Sequence, residues 1–235
     1  MYRDGVEVTR DSAEAVKWFR RSADQGNAAS QASLGMMYLV GADVTKDTAE
    51  AVRWFRMSAD QENPTGEFNL GWMYANGEGI NKDAVEAVKW YRKSADQGIA
   101  EAQINLGIMY RDGVGVTQDM AEAVKRFQTA ASQGNAIALG NLAWVLATSN
   151  DPKVRDGHNA VSFGEKAVAI TNRKNPNVLD ALAAAYAEDG QFTNATSVQK
   201  EAMTLLGDDA SKKGFETRLK LYESNTPYRA QQQSH

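Results

Sequence analysis

The sequence predicts an all-α fold, a superhelical α-α solenoid of stacked antiparallel helix pairs, and three observations point to it. Four near copies of one stretch recur every 36 residues without insertion or deletion: DSAEAVKWFRRSADQG from Asp11, DTAEAVRWFRMSADQE from Asp47, DAVEAVKWYRKSADQG from Asp83 and DMAEAVKRFQTAASQG from Asp119. A fixed period of this size marks supersecondary units that bury their apolar faces against one another along an axis. Each copy opens Asp-x-x-Glu directly before an apolar run, so an aspartate can accept the free N–H groups of a first helical turn while both acids sit at the positive end of the helix dipole. A Gly-x-x-Val/Ile connector precedes every copy, at Gly5 to Val8, Gly41 to Val44, Gly77 to Ile80 and Gly113 to Val116. A glycine there suits a left-handed helix end, and the aliphatic residue plugs the hairpin.

Within the third copy, Val88, Tyr91 and Ala95 follow i, i+3, i+7 spacing and Ala87 and Trp90 widen the stripe, so one broad face is buried. Gly26, Gly98 and Gly134 end three copies; Glu62 stands in that place in the second, which leaves Asn63-Pro64 to break the helix. Between these helices lie Leu34-Gly35-Met36-Met37-Tyr38, Leu70-Gly71-Trp72-Met73-Tyr74 and Leu106-Gly107-Ile108-Met109-Tyr110. They read as the partner helices. A mid-helix glycine costs about 1 kcal/mol relative to alanine, so Gly35, Gly71 and Gly107 mark close approach of a neighbouring helix. Of each Trp-Phe or Trp-Tyr pair, one ring is expected in the core and the other at the interface between repeats, because adjacent helical residues point about 100° apart.

The stretch GWMYANGEGINKDAVEAVKWYRKSADQG resembles the Sel-1-like repeat, whose pattern is LGxxYxxGxGVxxDxxxAxxWYxxAAxxG. The resemblance covers residues 1–134, as a half repeat at 1–26 and full repeats at 27–62, 63–98 and 99–134. It implies tetratricopeptide-like helix pairs that act as protein-binding scaffolds. Glu7 and Asp43 depart from the second loop glycine of the pattern, and Arg126 from its tryptophan.

Met1-Tyr2 aligns with Met37-Tyr38, Met73-Tyr74 and Met109-Tyr110, so the chain begins inside a helix, and the array is expected to continue upstream of Met1. Residues 135–207 read as degenerate repeats. They comprise a helix from Ala136 to Ala147, a longer loop through Asp151-Pro152 and Gly157, a helix near Ala160 to Thr171, and a final pair from Asn177 and Thr193. In that pair Leu179, Leu182, Ala183, Tyr186, Gly190, Ala195 and Ala202 resemble a tetratricopeptide repeat. Gln199 stands where that family prefers an aromatic, and looser packing is expected there. LAWVLATSNDPKVRDG and RLKLYESNTPYR also resemble tetratricopeptide modules of large bacterial proteins, which points to a bacterial source. Residues 208–224 are expected to cap the array as a helix facing it through Phe215, Leu219 and Tyr222. Residues 225–235 lack periodicity and read as a mobile tail.

Composition narrows the function. A net charge of −4 and a pI near 5.3 argue against nucleic-acid or anionic-membrane binding, which call for a basic face. No apolar run is long enough to insert in a membrane. The chain has no cysteine and two histidines, His158 at a loop-to-helix junction and His235 at the end, so neither a thiolate nor a histidine-based metal or catalytic cluster is at hand. A structural or capping role suits His158, and no cofactor is implied. No signal peptide opens the chain at Met1: it reads as cytoplasmic as written, or periplasmic or secreted if the array extends upstream.

Ser197 and Lys200 fit the Ser-x-x-Lys of penicillin-recognising enzymes, but its Ser-Asp-Asn and Lys-Thr-Gly companions are missing. Gly77-Glu78-Gly79 lacks the third glycine of a phosphate cradle. Asn194-Ala195-Thr196 reads as a chance glycosylation match. The repeated Asp/Glu pairs read as caps rather than acid catalysts. The reading is therefore a monomeric, non-enzymatic scaffold or adaptor for a protein or peptide partner, the alternative being a β-lactamase-like hydrolase or a regulatory segment of a larger enzyme. By resemblance to tetratricopeptide solenoids the first helices line a concave face. Asn69, Asn105 and Asn141 recur there as a ladder of amides able to pair with an extended backbone, and Met36, Trp72, Ile108 and Trp144 form apolar pockets beside them.

Overall fold

The computed structural model describes residues 12–207 and 209–230, which form twelve α-helices and no strand. These are α1 (Ser12–Asp24), α2 (Ala28–Val40), α3 (Thr48–Ala59), α4 (Pro64–Asn76), α5 (Ala84–Asp96), α6 (Ala100–Asp112), α7 (Met120–Ser132), α8 (Ala136–Thr148), α9 (Gly157–Ile170), α10 (Pro176–Glu188), α11 (Phe192–Thr204) and α12 (Asp209–Glu223). The chain divides into two compact units, one up to Ala102 and one from Gln103. Within each unit helices pack on their neighbours in sequence, α1 to α5 in the first and α7 to α12 in the second, as an α-α solenoid does. The Asp11 cap, the Gly5 to Val8 connector, the Met1-Tyr2 alignment, Asp208, Gln231 to Gln233 and His235 lie outside the described residues.

The helix starts follow from their caps. Asp47 Oδ1 accepts from the Glu50 amide at 3.0 Å, Asp83 Oδ1 from Val85 and Glu86 at 2.9 and 3.0 Å, and Asp119 Oδ1 from Glu122 at 3.0 Å. The glutamates do not reach back to the cap. The cap amides of Asp47, Asp83 and Asp119 donate instead to Tyr38, Tyr74 and Tyr110 carbonyls, closing each hairpin. At the helix ends, Glu62 adopts the left-handed conformation itself, with φ 58°, where Gly26, Gly98 and Gly134 do so elsewhere. Asp43 does likewise, at φ 61°, where Gly79 and Gly115 serve in the later connectors. The break after the second copy thus begins at Glu62, one residue before the Asn63 cap.

The central glycines are where helices meet. A Cβ on Gly35 would lie 2.7 Å from the Phe55 ring, one on Gly71 2.9 Å from Tyr91, and one on Gly107 2.7 Å from Phe127. All three rings are buried. Phe55, Tyr91 and Phe127 therefore fill their own hairpins, while Trp54 turns back against Ala23 and Leu34. In the first copy both Trp18 and Phe19 are exposed, against the expectation of one core ring. Where tryptophan gives way to Arg126, the guanidinium pairs with Glu122 at 2.6 Å.

A polar ladder inside the hairpins escapes the apolar pattern. Gln31, Glu67 and Gln103 occupy equivalent buried positions, and each is met by the glutamine before the helix break: Gln61 Nε2 donates to Gln31 Oε1 at 2.7 Å, Gln97 Nε2 to Glu67 Oε2 at 2.7 Å, and Gln133 Nε2 to Gln103 Oε1 at 3.2 Å. Buried polar groups are tolerated when they are paired in this way. Glu67 is the charged exception, and burial pushes its carboxyl above the usual range, opposed by the Gln97 hydrogen bond.

A carboxylate with a raised folded-state pKa penalises the native state above that pKa, and the penalty vanishes below the unfolded value. Glu67→Gln, which restores the residue found in the other two repeats, is expected to stabilise the chain by about 0.5 kcal/mol or more at pH 7. Denaturant melts should show the gain shrinking as pH falls through the carboxylate range; a destabilised variant at pH 7 would contradict it.

Candidate functional site

In the second unit, α8 and α10 line a groove. Asn135 caps α8 by accepting from the Ile137 and Ala138 amides at 3.0 and 3.2 Å, which sets Ile137, Asn141, Trp144 and Thr148 along one face. Gly140 lets α10 come close, since a Cβ there would lie 3.3 Å from Val178. The groove has a volume of about 950 Å³. Ile137 and Trp144 give it an apolar stripe, Asn141 and Arg111 a polar wall, and Asp180 and Arg218 its far side.

Each polar side chain there is oriented by its neighbours. Asn141 Nδ2 donates to the Ile137 carbonyl of its own helix at 2.9 Å, and its Oδ1 accepts from Arg111 Nη1 at 3.2 Å. Arg111 is held by both oxygens of Asp112, at 2.7 and 2.8 Å. Asp180 is buried and accepts from Arg218 Nε at 2.7 Å and Gln199 Nε2 at 2.8 Å. Burial pushes the Asp180 carboxyl upward, and the Arg218 charge opposes that shift. The guanidinium of Arg218 also lies 5.3 Å from the Trp144 ring centroid, 4.9 Å from Phe215 and 5.6 Å from Tyr228, within cation–π range of all three. It joins α12 to α10 and α8.

Gln199 is fully buried and bridges Asp180 to the Phe215 carbonyl, so a polar contact replaces the looser packing expected there. Phe215 and Tyr222 of α12 are buried as expected, Leu219 only half so. Residues 225–230 differ from a free tail. Tyr228 packs on Trp144 with ring centroids 5.7 Å apart, the Ala230 amide donates to the Thr148 carbonyl at 3.0 Å, and Asn150 Nδ2 donates to the Ala230 carbonyl at 2.6 Å. The Thr148 carbonyl ends α8 and lacks a partner within the helix, which is the physical reason a segment without periodicity settles there.

The structure brings the seven ladder residues together only in part. Asn141 and Trp144 share the groove just described. Met36 and Asn69 line a separate hollow of about 410 Å³ in the first unit, with Met36 exposed and Asn69 buried and donating to the Thr65 carbonyl at 2.9 Å. Trp72 is half-buried against the cluster of Phe55, Leu70 and Met73. Asn105 and Ile108 are half-buried on α6 and line neither hollow. Sequence reasoning missed Arg111, Asp180, Arg218 and Tyr228; the last two lie beyond the repeats in a part of the chain that occurs once, so no period marks them.

The residues considered for chemistry are apart from the groove. His158 is exposed, and the α9 cap is Asp156, whose Oδ1 accepts from the Asn159 amide at 3.0 Å. That hydrogen bond holds the Asp156 carboxyl below its usual range. Ser197 is exposed on α11, and Lys200 pairs with Glu223 at 2.9 Å. Among the described residues no group of three or more His, Asp or Glu is placed to hold a metal ion, and no helix is long and apolar enough to cross a membrane.

Comparison with known proteins agrees with this architecture. The Sel1 repeat profile matches residues 1–27, 28–63, 64–99 and 100–135. The crystal structure of a Sel1 repeat protein from Oxalobacter formigenes is similar at 30% identity and a TM-score of 0.68, covering 85% of this chain and 82% of that one. The uropathogenic Escherichia coli protective antigen c5321, which displays an SLR fold, is similar at 28% identity and a TM-score of 0.59, covering 96% of this chain and 56% of that one. A Sel1 repeat protein of Klebsiella pneumoniae shares the fold at 15% identity and a TM-score of 0.54, covering 89% of this chain and 98% of that one. A search of curated protein sequences returned no match. With four consecutive repeats spanning more than half its length, the chain belongs to the Sel1 repeat family.

Proposed function

We propose that this chain is a non-catalytic adaptor whose second unit holds an extended segment of a partner protein along α8 and α10. Sel1 repeats serve in general as protein-interaction scaffolds. The observation that carries the finer reading is the groove of about 950 Å³, which sets the Ile137 and Trp144 stripe beside the Arg111 and Asn141 wall. An extended peptide presents side chains and backbone polar groups in alternation, and such a groove offers a counterpart to both. Asn141 keeps one amide N–H beyond its bond to Ile137, because a primary amide carries two donors. Trp144 supplies the anchor, as tryptophan does at many interface hot spots. Met36, Asn69 and Trp72 in the first unit, and Asn105 and Ile108 on α6, are secondary contacts in this reading.

The test is capture of the partner by affinity pull-down with cross-linking, followed by titration of variants. Trp144→Ala and Asn141→Ala should each weaken binding of the captured partner by about 1–2 kcal/mol or more, with helicity nearly unchanged. Trp72→Ala and Asn105→Ala should have smaller effects. Full binding by both groove variants would remove the reading.

A further inference from the structure

Residues 225–230 show what the end of this groove accepts, because the chain itself is seated there. The segment contacts the second unit in three ways. Tyr228 lies on the Trp144 ring. Arg229 Nη1 pairs with Glu188 Oε2 at 2.5 Å, a carboxylate whose other oxygen is 3.2 Å from Arg155 Nε and whose side chain is only 13% exposed. The backbone of Ala230 both donates to the Thr148 carbonyl and accepts from the Asn150 amide. An aromatic ring, a guanidinium and one residue of paired backbone constitute a readout of an extended peptide: the backbone bonds are blind to sequence, and Trp144 and Glu188 ask for an aromatic followed by a cation.

Several features make this segment an exchangeable occupant. It has no secondary structure of its own, Asn225 and Thr226 are exposed, and residues 227–230 are only half-buried. Short segments of that kind open at a small fraction of the global unfolding free energy. Tyr228 and Ala230 wall the groove without filling it, and its open space also borders Asn141 and Arg111. Pro227 favours an extended backbone there and lacks an N–H.

We infer that the seat formed by Trp144, Thr148, Asn150 and Glu188 is a recognition site for an extended partner segment bearing an aromatic–basic pair, and that residues 226–230 are its intramolecular occupant. The inference rests on the groove reading above and adds the chemistry of the ligand and its control. A tethered segment sees its site at a high effective concentration, so it screens out weak ligands and yields to a segment that also engages the rest of the groove.

The probe is a fluorescein-labelled peptide, Asn-Thr-Pro-Tyr-Arg-Ala-Gln, titrated against the full chain and against the full chain carrying Tyr228→Ala and Arg229→Ala. The double variant is expected to bind it at least tenfold more tightly than the unaltered chain, and Glu188→Gln in that background to abolish the gain. The captured partner should also bind the double variant more tightly. Equal partner binding by both chains would overturn the competition while leaving the groove reading standing, which Trp144→Ala and Asn141→Ala test separately. Loss of helicity in the double variant would make the segment a fixed brace and overturn the inference. So would concentration-dependent dimers of the unaltered chain that the double substitution abolishes, which would assign the seat to a second copy.

Discussion

Phe127→Ala is expected to destabilise the second unit by about 3–5 kcal/mol. The ring is fully buried and sits where a Cβ on Gly107 would be, 2.7 Å away. Removing it leaves a cavity between α6 and α7 that the helices cannot close without moving. The reverse change tests the same contact. Gly107→Ala gains about 1 kcal/mol of helix propensity but forces a methyl group into the ring, an overpacking cost of about 1–3 kcal/mol, so the single variant should be less stable or at best neutral. Combined with Phe127→Leu, the alanine should become stabilising, a coupling of about 1 kcal/mol or more by double-mutant cycle. Additive effects in denaturant titrations would mean that Gly107 is not there to admit the ring.

Arg218→Ala should cost about 3 kcal/mol or more, because it strands Asp180 as a buried carboxylate and removes the cation that joins Trp144, Phe215 and Tyr228. Burial already raises the Asp180 pKa against the opposition of Arg218, so losing that charge raises it further. A raised folded-state pKa penalises the fold above it and not below the unfolded value. The loss in Arg218→Ala is therefore expected to be greatest near pH 7 and to diminish as pH falls and Asp180 takes a proton. Pairing it with Asp180→Leu should recover much of the stability, since apolar replacement of a buried ion pair is often neutral. A deficit that is the same at pH 5 and pH 7.5 would show that the ion pair is not its cause.

What was legible in the sequence were the features that repeat. Asp47, Asp83 and Asp119 announced helix starts because a cap needs only its own next three residues. Gly71 and Gly107 announced close helix contacts because glycine inside a helix is unfavourable without one. The polar ladder was not legible: Gln31, Glu67 and Gln103 look like surface residues until the hairpin brings Gln61, Gln97 and Gln133 onto them. Spacing placed Asn69 and Asn141 on equivalent faces but could not say that each donates to a carbonyl of its own helix, a local competitor for the same amide. Arg218 and Tyr228 lie in a part of the chain that occurs once. Their partners Asp180 and Trp144 are distant in sequence, and no period relates them.

The most direct measurement is amide hydrogen exchange of the full chain with and without its captured partner. If the second unit carries the binding groove, protection should rise along α8 from Ile137 to Thr148, at Asn150 just after it, and across the start of α10 around Val178 to Ala181. Exchange at Tyr228 to Ala230 should speed up as that segment is displaced. New protection confined to the outward faces of α7, α9 and α11, with α8 and α10 unchanged, would contradict the assignment.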